Sequence, residues 1–119
     1  MIDPIQRDGV DNAIGFSIDG KLHADDYRRI IPICEQLIED TGELRILVYL
    51  KHYEGASFAA LFQDLKFDVS HWSKFKRIAM VGDKKWQAHM AKLTDLIMHG
   101  EVKHFTSDEM DEAWVWVSS

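Results

Sequence analysis

The 119-residue chain has one cysteine, Cys34, so no disulfide can form within it. It has only two prolines, Pro4 and Pro32, so few positions are barred from a helix or strand interior by a missing N–H. No apolar run approaches the ~20 residues that cross a bilayer, so no membrane insertion is expected. The opening MIDPIQRDGVDN lacks the basic start and apolar stretch of a secretion signal, and a cytoplasmic protein is expected. Basic residues are outnumbered by acidic ones, 14 to 20, giving a net charge of −6. The excess disfavours nucleic acid and anionic membrane surfaces as partners. The basic residues Lys74, Lys76 and Arg77 form no groove that would reverse this reading.

What is present is alternation. Residues 13–19 (AIGFSID) read as a strand, and Ile2 to Arg7 as an edge strand beside it, with Asp8-Gly9 in the turn. A helix is predicted from Ala24 to Asp40, its stripe formed by Tyr27, Ile30, Ile31, Cys34, Leu37 and Ile38. Pro32 predicts a kink or a 3₁₀ entry within it, and Thr41-Gly42 a stop. Leu44 to Leu50 puts Leu44, Ile46, Val48 and Leu50 on one face and Arg45, Leu47 and Tyr49 on the other. Ile78 to Val81 is apolar on both faces, as in strands covered on both sides. Helices are predicted at Phe58 to Trp72 and Lys84 to Met98. A strand follows near Val102 to Thr106, then a last helix with Ser107 as its N-cap. The expected architecture is a single small layered α/β domain, a mixed four- to five-stranded sheet flanked by about four helices.

On a helical wheel Leu61, Phe62, Leu65, Val69 and Trp72 fall within about 60° of Phe58, a full core stripe. Phe67 falls about 180° away. It marks a helix break near Asp68, packing under a neighbouring loop, or a contact with a partner or ligand, since exposed apolar surface usually has a use.

Chemistry-bearing residues form no catalytic set. The six histidines (His23, His52, His71, His89, His99 and His104) have no zinc-site spacing, so no metal is expected. Cys34 lies on an inner helical stripe and reads as a structural thiol. Gly82-Asp83-Lys84-Lys85 follows a buried strand but lacks a glycine-rich phosphate loop, and no cofactor is expected. With no nucleophile, base and orienter together, the chain does not read as an enzyme.

Several segments carry a family resemblance. They are Gly20-Lys21-Leu22 with Asp26-Tyr27, Tyr53-Glu54-Gly55, Gln63-Asp64-Leu65-Lys66-Phe67, the run from Phe75 to Trp86, Phe105, and Glu112-Ala113-Trp114-Val115-Trp116. Together they resemble the SpoIIAA-like family of small bacterial proteins. The resemblance implies a fold related to the STAS domain of anti-sigma factor antagonists and to the lipid-binding CRAL-TRIO domain. It also implies a non-enzymatic regulatory or protein-interaction module, acting as a homodimer or on a protein partner. In the antagonists a serine opening the helix after the second core strand is phosphorylated, and Ser57 is the matching candidate here. Ala56 precedes Ser57 where those proteins have aspartate, and Ser57 also fits an N-cap. The alternative function is a carrier or sensor of a small apolar, lipid-like ligand held near Phe62 and Trp72. Glu54, Gly55, Ala56, Phe67 and Trp116 are the expected contacts for a ligand or partner.

Overall fold

In the computed structural model, residues 2–20, 24–53, 74–82 and 100–119 are described. They form a five-stranded sheet, β1 (Ile2–Ile5), β2 (Ile14–Gly20), β3 (Leu44–Tyr53), β4 (Phe75–Val81) and β5 (Glu101–Phe105), in that spatial order. Strand β1 runs antiparallel to β2, and every other neighbouring pair is parallel. Helix α1 (Ala24–Thr41) connects β2 to β3, and α2 (Met110–Ser118) ends the chain. The mixed sheet is as expected, and two helices lie among the described residues. The helices predicted at Phe58 to Trp72 and Lys84 to Met98 fall outside them.

Alternation along the strands separates two cores. On one face Phe16, Ile18, Ile46, Val48, Leu50, Ile78 and Met80 pack with Ile30, Cys34 and Leu37 of α1. On the other, Leu47, Ala79, Val81 and Phe105 pack with Ala113, Trp114 and Val117 of α2. Burial of each large side chain here contributes about 1.5–3 kcal/mol. The residues 78–81 are each fully buried, because α1 and α2 cover opposite faces of β4's neighbourhood.

Helix α1 continues through Pro32, which is exposed and leaves its missing donor on the solvent side. Its packed stripe includes Ile33 and Ile38, each half-buried. Gly42 ends it with φ +79°, and the Gly42 N–H donates to the Ile38 carbonyl at 2.7 Å. That left-handed conformation is why glycine stands there.

The start of the last helix differs from the expected Ser107 cap. A 3₁₀ turn at Ser107–Glu109 precedes α2; Thr106 is the N-cap of that turn, and Glu109 is the N-cap of α2 itself. The Thr106 N–H donates to Glu109 Oε1 at 2.9 Å, and its hydroxyl lies 2.6 Å from Asp108 Oδ1 and 2.8 Å from Glu109 Oε1. Threonine wins because both acidic side chains reach back to it, which serine one position later cannot arrange. These bonds hold both carboxyls below their ordinary range. Asp108 is lowered chiefly by the Thr106 hydroxyl, Glu109 chiefly by the Thr106 backbone N–H.

Candidate functional site

Helix α2 has no basic residue in its last turn, although its carbonyl end favours positive charge. The sheet supplies it. Arg45 and Arg77 are register partners in β3 and β4. Arg45 Nη1 donates to the carbonyls of Val117 at 3.0 Å and Ser119 at 2.6 Å. Arg77 Nη1 donates to the Trp116 carbonyl and to Ser119 Oγ, each at 2.7 Å. Asn12 Nδ2 completes the cap on the Ser118 carbonyl at 2.9 Å. The helix is therefore bolted to the sheet at its C-terminal end, and this orients everything on its outer side.

Trp116, the one expected contact residue that lies among the described residues, is half-buried. Its ring stacks obliquely on Phe105, centroids 5.9 Å apart at 53°, and the Arg77 guanidinium lies 5.0 Å from its centroid. Beside it Val115 is 68% exposed, the large hydrophobic residue that α2 leaves outside. Four consecutive apolar residues, Trp114 to Val117, cannot share one helix face at 100° per residue. That geometry, legible in the sequence, singles out a residue such as Val115, which the sequence reasoning missed.

Val115 and Trp116 line an open groove of about 450 Å³ between α2 and β5. Lys103 and Phe105 form its strand side, Asp111 and Glu112 its acidic rim, and Ser119 its end. Lys103 Nζ sits 5.2 Å from the Phe105 ring centroid, so its charge stays over apolar surface within the groove. A second groove of about 390 Å³ lies beside α1, lined by Asp11, Ile14, Pro32, Ile33, Gln36, Leu37 and Asp40. It holds no strongly exposed large hydrophobic residue, so the α2–β5 groove is the better candidate.

The other expected contacts, Glu54, Gly55, Ala56 and Phe67, and the phosphosite candidate Ser57, lie outside the described residues. So do Phe62 and Trp72, on which the apolar-ligand reading rests. Cys34 is buried against the sheet, and burial pushes its thiol up to about 12, so it is inert as a nucleophile at neutral pH. His104 Nε2 lies 3.0 Å from the Gly82 carbonyl. Among the described residues no group of His, Cys, Asp and Glu side chains converges on a metal-sized site. Among them, too, no helix is long and apolar enough to cross a membrane.

No curated protein matches the chain. Among solved structures, it is similar to an uncharacterised protein of the DUF3478 family with a SpoIIAA-like fold from Shewanella loihica PV-4. Identity is 28%, the match covers 98% of this chain and 93% of that one, and the TM-score is 0.69. The SpoIIAA-like family model matches residues 13–118, and all the segments that resembled that family fall inside this span. Neither comparison extends the resemblance to CRAL-TRIO proteins. The chain belongs to the SpoIIAA-like family.

Proposed function

We propose that this protein is a non-enzymatic, STAS-like interaction module that works by docking another protein surface on its α2–β5 side. One observation carries the reading. Val115 stands 68% exposed beside the groove of Phe105 and Trp116, on a helix anchored to the sheet by two arginines. A rigid helix presenting an apolar residue next to aromatic surface is what a protein interface uses as its anchor. Membership of the SpoIIAA-like family supports the same reading, because the fold is related to a domain that regulates through protein contacts.

The test is affinity capture with the whole chain as bait, wild type against V115D, with self-association followed by sedimentation. The reading expects one partner, or a second copy, that wild type holds and V115D loses. Absence of both a partner and self-association overturns it. Ser57 is the position at which such a module would be switched, because the sequence places it as an N-cap candidate. A phosphate at a helix N-terminus is in general stabilised by backbone N–H groups and the helix dipole. Incubation with lysate and ATP followed by intact-mass measurement reads this directly. The competing apolar-ligand carrier expects a co-purifying small molecule in native mass spectrometry, and a bare chain mass would remove it.

A further inference from the structure

The two edges of the sheet differ. At β1 the edge carries Pro4, which has no N–H to offer a further strand, and an exposed Asp3. Strand β5 has no proline, and among the described residues no strand lies beyond it. Its backbone phase is fixed by one bond, from the Gly82 N–H to the Phe105 carbonyl at 2.9 Å. Phe105, and by alternation Lys103 and Glu101, therefore turn their backbone groups toward β4, and Val102 turns its own outward.

The side chains are self-complementary. Glu101 registers with Arg77 in β4 and Lys103 with Ala79, so both point to the α2 side of the sheet. If a second β5 pairs antiparallel about Val102, the two Val102 residues exchange backbone hydrogen bonds. Each Glu101 then meets the other copy's Lys103. In this register those are the closely spaced, non-hydrogen-bonded positions, where cross-strand side chains lie nearest. Pairing about Glu101 or about Lys103 would instead set two like charges face to face. The twofold axis is perpendicular to the sheet, so both α2 helices fall on one side. The exposed Val115 of each copy then borders the seam.

Resting on the interaction-module reading, we propose that the partner at this surface is a second copy of the chain. It is joined by antiparallel β5–β5 pairing about Val102, with reciprocal Glu101–Lys103 contacts. Sedimentation velocity of the whole chain over a concentration series tests this with E101K and K103E. Wild type is expected to form a species of twice 13.8 kDa. Each single variant is expected to raise the dimer dissociation constant by about tenfold or more, because both contacts become like-charged. An equimolar mixture of E101K and K103E, and the double variant E101K/K103E, are expected to bring the constant back toward the wild-type value, short of it only by what the lost Arg77–Glu101 pair at 3.6 Å costs. A wild type that stays monomeric throughout overturns the pairing. So does a dimer that tolerates both single variants, or a mixture that fails to recover. A monomeric wild type that still captures a V115D-sensitive foreign partner overturns this inference alone and leaves the proposed function standing.

Discussion

Arg45 and Arg77 lie side by side in adjacent parallel strands, and both direct their guanidinium groups into the same helix end. Two like charges at paired positions would ordinarily repel. Here the last carbonyls of α2 lie within reach of both, and Glu43 and Glu101 flank them at 3.4 and 3.6 Å. The pair thus serves as a C-cap borrowed from the sheet, replacing the basic last turn that the helix lacks.

Replacing Arg77 by alanine removes the bond to the Trp116 carbonyl and the contact with its ring. The expected loss is about 2 kcal/mol in urea unfolding, since charge-assisted hydrogen bonds and cation–π contacts are each of kcal/mol size. R77K is expected to recover only part of it, because an ammonium lacks the planar fork that engages several acceptors. An R77A midpoint indistinguishable from wild type would contradict the borrowed cap.

Gly15 is a close-approach glycine. A Cβ there would lie 2.6 Å from Ile5 Cγ1 and 2.8 Å from the Trp114 ring. G15A is expected to destabilise by about 1–3 kcal/mol through overpacking. The cost is expected to shrink in part in a W114L background, where the ring contacts are gone and the Ile5 contact remains. Additive effects of the two substitutions would show that Trp114 is not what excludes a side chain at position 15.

The Thr106 cap links stability to acid. The folded-state carboxyls of Asp108 and Glu109 sit below their unfolded values, so their contribution is complete above the ordinary carboxylate range. It is lost as pH falls through the lowered folded values. T106V removes the hydroxyl that both carboxylates use. Its destabilisation relative to wild type is expected to be present at pH 7 and to diminish between about pH 5 and 3. Urea midpoints measured across that range check it, and a difference independent of pH would count against the assignment.

Cys34 offers a readout of opening, since it is the chain's single thiol. Burial raises its pKa to about 12, so a disulfide reagent at about pH 8 should label it only through unfolding. The labelling rate is expected to follow urea concentration as global unfolding does. Prompt labelling in native buffer would mean that α1 does not cover the sheet there.

The sheet was legible where burial dictates the pattern. Leu44 to Leu50 and Ile78 to Val81 were legible as strand cores because packing on both faces demands apolar residues there, Arg45 excepted. Strand β3 runs on to Tyr53 and β4 starts at Phe75, where the apolar pattern is mixed with charge. Helix α1 was legible from Ile30, Cys34, Leu37 and Ile38 and from the Thr41-Gly42 stop, since both are local signals, but Ile33 rather than the expected Ile31 joins the packed stripe. The Thr106 cap was not, because two acidic side chains reaching back outcompete the simpler serine signal. The arginine cap was also hidden. Arg45 and Arg77 are far apart in sequence and look solvated until the parallel register brings them together under α2. Among the candidate contacts, Trp116 was legible as an aromatic of the last helix. Its burial beneath Arg77, which passes exposure to Val115, depends on tertiary packing alone.

Action of this protein through its α2–β5 side is tested most directly by hydrogen-exchange footprinting of the associated form. Association, whether with a second copy or with a captured partner, is expected to slow exchange in the peptides spanning Glu101–Phe105. Peptides from β1 at the opposite edge should be left unchanged. Protection confined to β1 or to α1, with the Glu101–Phe105 stretch unaffected, would contradict the account.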